Sequence, residues 1–413
     1  MVDDYLRRYV DDYLDDIFGE LPAVMLTGPR GCGKSTTALR RSESVVRLDE
    51  PEQARAFAGQ PDAFLQRLAE PILLDEWQEA PESMAAVKRA VDTGTGDGRF
   101  LITGSVRARR STETWPGTGR VTPIPMFGLA RGEIEGTGGG ATFVEDLFSA
   151  DSSDVHSIGD APTIFDYVGW AAAGGFPEAL RRSPRARDEW FEGYVEQLVG
   201  RDVLSLADVR APRRMIELLR AVALNTAGLP TLQTLTAAAG IDAKTARVHL
   251  DLLEDLGIVE RLPAWHSNRL SRLVKAPKYH LVDTGLAMWL AGVDEDGITR
   301  GSDLLGRVLD SFVTAQLRPL LRLSRTKTVA HHLRDNAGRH EVDLLLESRR
   351  GDVVGIEIKS GGGPSERDAR HLVWLRDELG DAFRRGVVFH TGKLTYPLGE
   401  RIWAMPIASI WRS

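Results

Sequence analysis

Two hydrophobic patterns divide the first hundred residues. Over 3–18, Tyr5, Leu6, Tyr9, Val10, Tyr13, Leu14 and Ile17 recur between acidic pairs, which predicts an amphipathic helix with a charged outer face. After it the apolar residues come in short unbroken runs: AVMLTG at 23–28, PILLDE at 71–76 and FLITGS at 100–105. Such runs predict strands buried on both faces. The glycines and TTALRR behind the first run read as a loop and a helix, and EAPESMAAVKRAVD between the other two reads as a helix. Strands alternating with helices predict a parallel α/β sheet.

The pattern then changes. From 117 to 162 Gly, Ser, Thr and Asp dominate, with GTGGG at 136–140 and SADSSDVHSIGDAP at 149–162, and a mobile segment or domain boundary is expected. Residues 163–225 read as helices, GGFPEAL at 174–180 being a turn that starts one of them. The stretch 229–264 reads as a helix, a turn at Gly240, a longer helix and a short strand pair. Asp242 suits the cap of that second helix, and Ala246, Leu250, Leu253 and Leu256 form its apolar face. The last block opens with a helix around VLDSFVTAQLRPLLR, followed by strands EVDLLLES and DVVGIEIKS, a helix near ARHLVWLRDELG and a strand RRGVVFH. The expected division is 1–135, a flexible insertion or linker at 136–162, a helical domain at 163–228, a helix-turn-helix and basic stretch at 229–300, and a terminal domain at 301–413.

Composition narrows the classes. With 413 residues, 42% of them hydrophobic and 27% charged, the chain has the balance of soluble globular domains and length for several. A net charge of −7 means that any contact with nucleic acid must rest on a local basic patch. A single cysteine, Cys32, permits no internal disulfide. The acidic N-terminus does not read as a signal peptide, and no apolar run is long enough for a membrane span, so a cytoplasmic protein is expected.

GPRGCGKS at 28–35 matches G-x-x-x-x-G-K-[ST] between a predicted strand and a predicted helix, the context that makes the motif meaningful. Gly28, Pro29, Arg30, Gly31, Cys32, Gly33, Lys34, Ser35 and Thr36 are therefore the expected nucleotide-binding residues, with loop amides and the helix start facing a polyphosphate. Lys34 would neutralise the β and γ phosphates of ATP, and the Ser35 hydroxyl would ligate Mg2+. The strand at 71–76 ends in Asp75 and Glu76. Asp75 is expected to hold the metal through water and Glu76 to polarise the attacking water. Thr103, at the end of the third strand, is placed to sense the γ phosphate. Arg107, Arg109, Arg110 and Arg120 follow it, each a candidate arginine finger for a neighbouring subunit.

The combination GPRGCGKST, PILLDEWQEAPE, GRFLITGS and GTGR resembles the AAA+ ATPases of bacteria and archaea that carry a C-terminal domain of unknown function. GGFPEAL, AKTARVHLDLLEDLGIVERLPAW, RLVKAPKYHLVDTGLA and HEVDLLLE extend the resemblance over nearly the whole chain. It implies an AAA+ P-loop core and a homo-oligomer. It also makes Arg120 the first choice among the arginines, although the family's Leu-Ala-Gly-Arg turn reads GTGR here.

The helix-turn-helix at 229–264 matches a winged helix, a module that often lays its second helix in the DNA major groove. Lys244, Arg247 and Asp251 would share the outward face, and Arg261, Arg269, Arg272, Lys275 and Lys278 lie in a stretch, 261–282, without an acidic residue. That stretch is a local electrostatic footprint for phosphates, so DNA is the expected partner. In the last block Asp343 falls in one strand, while Glu357 and Lys359 form E-x-K at the end of the next, where alternation puts them on one side. Two carboxylates and a lysine at this spacing resemble the PD-(D/E)xK nuclease fold, in which Asp310 on the preceding helix would be a further acid. The resemblance implies Mg2+ bound there and water activated against a phosphodiester.

The expected whole is an α/β protein with an AAA+ P-loop parallel sheet core, a helical and winged-helix middle and a nuclease-like α/β terminus. It would be a magnesium-dependent ATPase coupled to DNA binding or processing. Two rival expectations stand beside it: a slow nucleotide switch whose terminal domain docks DNA or a protein without cutting, and an ATP-gated nuclease.

Overall fold

The computed structural model describes residues 5–104, 118–137, 142–149, 156–203, 212–266, 276–300, 303–334 and 339–412. They divide into two compact units, one made of Arg8–Gly128 with Leu253–Ile258, the other of the remainder.

The first unit is built on a five-stranded parallel sheet in the order β2-β3-β4-β1-β5, with β1 Ala23–Thr27, β2 Ser44–Arg47, β3 Ile72–Asp75, β4 Phe100–Gly104 and β5 Thr122–Pro125. Its helices are α1 Tyr9–Ile17, α2 Lys34–Leu39, α3 Pro51–Gly59, α4 Pro61–Leu65 and α5 Glu82–Thr93. Successive side chains of a strand point to opposite faces, so an unbroken apolar run feeds two cores. Met25, Ile72, Leu74, Phe100 and Ile102 pack with Phe57, Leu65, Met84 and Val87 on one side. Val24, Leu26, Leu73 and Leu101 pack with Val10, Leu14 and Ala38 on the other. The first helix is shorter than its hydrophobic pattern predicts, because Arg8 is extended and its backbone N–H donates to Asp11 Oδ2 at 2.7 Å, which caps the helix at Tyr9. Strand β5 carries Pro123 and Pro125, which the sheet tolerates because β5 lies on its edge.

The second unit holds α6 Arg131–Glu135, α7 Phe143–Phe148, α8 Ile164–Ala173, α9 Pro177–Leu180, α10 Pro184–Gln197, α11 Pro212–Leu224, α12 Leu232–Ala239 and most of α13 Ala243–Asp255. The stretch 136–162, expected as a flexible insertion or linker, carries a short helix where it is described. Helix α7 buries Phe143, Val144 and Leu147, Phe143 lies 6.3 Å from the Phe389 ring, and β6 His156–Ser157 pairs with a later strand. Three apolar residues on one face of a short helix anchor a segment whose overall composition is that of a linker.

Helices α12 and α13 meet at Gly240 in the expected helix-turn-helix, and Asp242 Oδ1 accepts from the backbone of Lys244 and Thr245 at 2.9 and 3.0 Å. An antiparallel hairpin follows, β7 Val259–Leu262 with β8 Lys278–Leu281. Then come α14 Thr284–Ala291, α15 Glu295–Thr299 and the long helix α16 Leu304–Leu323. The chain closes with β9 Val329–Arg334, β10 Glu341–Glu347, β11 Val353–Ile358, α17 Arg370–Leu379, β12 Phe383–His390, β13 Leu394–Gly399 and β14 Ile402–Pro406. These strands and β6 form a mixed seven-stranded sheet in the order β6-β13-β14-β12-β11-β10-β9. Among the described residues no helix is long and apolar enough to cross a membrane.

Candidate functional site

The phosphate loop leaves β1 at Thr27 and enters α2 at Lys34. Its glycines answer to local geometry: a Cβ on Gly28 would stand 2.1 Å from the Met126 carbonyl oxygen, and Gly33 has φ 100°, which a side chain rarely adopts. Cys32 is fully buried in the core below the loop, so this residue faces a ligand with its backbone alone. Arg30 is half-buried and Thr36 exposed. Lys34 is folded back on the loop, its Nζ donating to the carbonyls of Gly28 and Pro29 at 3.0 and 2.9 Å. An ammonium held by neutral carbonyls is free to exchange them for phosphate oxygens, which offer charge as well.

Ser35 and Asp75, 40 residues apart, meet because β1 and β3 both flank β4 in a parallel sheet and end on the same side. Ser35 Oγ donates to Asp75 Oδ1 at 2.7 Å. A hydroxyl and a buried carboxylate side by side are the oxygen donors that Mg2+ takes when it also keeps water and phosphate ligands, so these residues fit the metal. Thr103 departs from its expected role as a γ-phosphate sensor. It is fully buried, its hydroxyl donates to the same Asp75 oxygen, and it accepts from the Glu76 backbone N–H at 3.3 Å. It fixes both acids from beneath. Glu76 stands in the left-handed region at φ 56°, uncommon for a residue with a side chain and a usual mark of a functional turn. Its Oε2 accepts from the Gln78 amide.

Two contributors have no signal in the sequence. Gln78 is one; Arg8 is the other, nearly buried, with its guanidinium donating to the carbonyls of Cys32 at 2.9 Å and Phe127 at 2.7 Å. It ties the phosphate loop to the segment leaving β5. Arg120 precedes β5, at the end of the sheet where the strands begin, and pairs with Asp92 at 2.8 Å. The length of β1, about 16 Å at roughly 3.3 Å per residue, separates that end from the phosphate loop. Arg120 is therefore placed away from the loop of its own chain. Arg107, Arg109 and Arg110 lie outside the described residues.

In the other unit Lys244 and Arg247 are exposed on the first turns of α13. Arg269, Arg272 and Lys275 lie outside the described residues. Lys278 does not fit its expected place among the DNA contacts. It is 2% exposed on β8, with Nζ 2.8 Å from Asp310 Oδ2 and 3.0 Å from the Asp343 carbonyl oxygen. Strand alternation turns this residue inward, which a count of basic residues does not register.

The carboxylates of the terminal domain do gather. The register pairing Leu344 with Ile356 sets Asp343 across from Glu357, Asp343 Oδ2 accepts from the Ile358 N–H at 2.9 Å, and Glu357 Oε2 takes Lys359 Nζ at 2.8 Å. Burial, then the nearby Asp343, push the Glu357 carboxyl up to about 8 against the pull of Lys359. Burial likewise raises Asp310 to about 6, opposed by Lys278. Burial by itself lowers Lys278, but Asp310 and Asp343 outweigh it and hold the ammonium charged. Among the described residues no group of three acidic, His or Cys side chains has the arrangement of a metal site, so the Mg2+ expected at Asp310, Asp343 and Glu357 does not fit.

Three family models match separate stretches of the chain. Residues 20–135 match the family described as an AAA domain, 164–297 a domain of unknown function (DUF8612) and 305–410 another (DUF4143). Uncharacterized proteins of Mycobacterium bovis and Mycobacterium tuberculosis are each 27% identical over 395 residues, which is 94% of this chain and 81% of theirs. A Walker-type ATPase of Pyrococcus abyssi aligns with a TM-score of 0.41 and 15% identity, covering 70% of this chain and 96% of that one. The parallel sheet and phosphate loop of the N-terminal unit, together with the match of residues 20–135 to the AAA domain family, support reading it as a P-loop nucleotide-binding domain.

Proposed function

We propose that this chain hydrolyses ATP with Mg2+ and that turnover controls the binding of its second unit to DNA. The observation that carries the reading is the joint hold on Asp75 by the hydroxyls of Ser35 and Thr103, with Glu76 next in the chain. Ser35 and Asp75 would hold Mg2+, which when bound would neutralise charge on the phosphates. Lys34 leaves its loop carbonyls for the phosphates. Glu76 orients and polarises the attacking water, and Thr103 keeps both acids in place. A second copy of the chain brings Arg120 to the nucleotide. DNA is held by Lys244 and Arg247.

The test is nucleotide binding and phosphate release measured separately. Lys34→Ala is expected to lose both, because the ammonium that would meet the β and γ phosphates is gone. Glu76→Gln is expected to keep ATP bound while phosphate release falls by about 10²-fold or more, since an amide cannot polarise water. Unchanged turnover in either variant overturns the assignment. A second reading, the slow nucleotide switch, has one observation in its favour: the Gln78 amide occupies an oxygen of Glu76 that hydrolysis needs. Tight ATP binding with negligible phosphate release by the unaltered chain selects it.

A further inference from the structure

The carboxylates of the terminal domain surround an ammonium where a nuclease-like centre would surround a divalent ion. Lys278 Nζ has three oxygens about it: Asp310 Oδ2 at 2.8 Å, the Asp343 carbonyl at 3.0 Å and Asp343 Oδ1 at 3.9 Å. Asp343 spends its other oxygen on the Ile358 N–H, and Thr314 Oγ1 lies 3.4 Å from the second oxygen of Asp310. A divalent ion needs roughly six oxygen neighbours, at about 2.0–2.1 Å for Mg2+, and cannot share this space with a positive nitrogen. Lys278 and Lys359 offset most of the charge of Asp310, Asp343 and Glu357, which leaves little to attract one.

Lys278 comes from outside the terminal domain's own strands. It stands on the winged-helix hairpin, and that hairpin is fastened to the terminal sheet. The Trp265 N–H donates to the His332 carbonyl at 2.6 Å, the His332 N–H to the Pro263 carbonyl at 3.0 Å, and Ala264 forms a parallel bridge with His332 on the edge strand β9. The Trp265 side chain packs against the core of Leu333, Val342 and Leu345. On the far side Arg318 of α16 donates to the Val282 carbonyl at 3.1 Å. With the Ala276 carbonyl 3.1 Å from His332 Nε2 as well, strand β8 is held just before Lys278 and just after Leu281.

We propose that Lys278, delivered by the winged-helix hairpin, is the resident cation of the Asp310–Asp343–Glu357 cluster and closes it to divalent metal, so that this domain does not cut phosphodiesters. The inference is independent of the nucleotide chemistry in the other unit. Glu357 Oε1, buried and without a hydrogen-bond partner among the described residues, is the oxygen a metal would claim once the ammonium is removed.

The experiment is Mn2+ titration of the nucleotide-free full-length chain, followed by electron paramagnetic resonance. The unaltered chain is expected to take up no more Mn2+ than Asp343→Asn and to leave plasmid, duplex and single-stranded DNA intact. Lys278→Met is expected to gain one Mn2+ per chain, at least about tenfold tighter than any site of the parent, and Lys278→Met with Asp343→Asn to lose it again. Its melting temperature should also rise with Mn2+, by the linkage that stabilises any state that binds a ligand. A Mn2+ site in the unaltered chain that Asp343→Asn abolishes overturns the proposal, as does a folded Lys278→Met that takes up no metal. Should Lys278→Met fail to fold, the comparison of the parent with Asp343→Asn decides alone.

Discussion

At the scale of single residues, the phosphate loop depends on a side chain that no motif marks. Arg8 reaches the Cys32 carbonyl across 24 positions and the Phe127 carbonyl across 119. It reaches them with two separate nitrogens of a rigid planar fork, Nη1 to Cys32 and Nη2 to Phe127, a spread that the single nitrogen of a lysine does not reproduce. Arg8→Ala removes both hydrogen bonds and is expected to cost about 2–4 kcal/mol in urea unfolding, with Arg8→Lys recovering only part. An Arg8→Ala chain as stable as the parent would show that the contact is incidental. The difference between Lys34 and Arg8 explains what the sequence makes legible. Lys34, Ser35, Gly28 and Gly33 act within one loop, so their spacing carries the chemistry. Arg8 and Lys278 act on partners tens of residues away, Lys278 on Asp310 and Asp343 across 32 and 65 positions, and only the fold creates those meetings. Thr103 shows the same limit at close range: its position at a strand end was readable, but whether the hydroxyl faces a ligand or Asp75 was not.

At the scale of elements, strands with unbroken apolar runs declared themselves and edge elements did not. Strands β1, β3 and β4 are central and buried on both faces, while β2 carries Ser44 and Arg47 and β5 alternates proline with Thr122 and Ile124. The helix-turn-helix was legible because Asp242, Gly240 and the apolar face of α13 are all local signals. What the hairpin does was not. Pro263, Trp265 and Ala276, on either side of residues 267–275, which lie outside the described residues, are hydrogen-bonded to His332 of β9. On the proposed reading, Lys244 and Arg247 of α13 are the exposed described residues of this module that would meet DNA. Reversing charge at both Lys244 and Arg247 is expected to weaken DNA binding about tenfold or more at low salt. It should also flatten the dependence of log K on log salt by roughly 0.9 for each phosphate that is no longer neutralised, with no change in base preference. Equal affinity and an equal salt slope for the double variant would remove α13 from the interface. Arg261 is a poor substitute, because it is already paired with Asp251 at 2.8 Å.

At the scale of the whole molecule, the position of Arg120 allows a test of whether turnover depends on assembly. The arginine belongs to the end of the sheet where strands begin, and the phosphate loop to the end where they finish, so one chain does not bring its own Arg120 to its own nucleotide. An arginine contributed by a neighbour adds about 10³–10⁵-fold in systems that use one, by stabilising charge on the transferring phosphoryl group. If Arg120 serves this way, specific activity rises with protein concentration, and Arg120→Ala loses about 10²-fold or more in phosphate release while still binding ATP. The stronger test mixes two defective chains. Lys34→Ala cannot hold the nucleotide but still carries Arg120; Arg120→Ala holds the nucleotide but has no finger to lend. In a head-to-tail ring, random mixing in equal amounts pairs an intact loop with an intact arginine at about a quarter of the interfaces. The mixture is then expected to recover about a quarter of the parent's activity when neither variant alone shows any. A mixture as inactive as its components, from chains shown to assemble, would remove Arg120 from catalysis and leave its pair with Asp92 as a surface ion pair, worth about 0–1 kcal/mol.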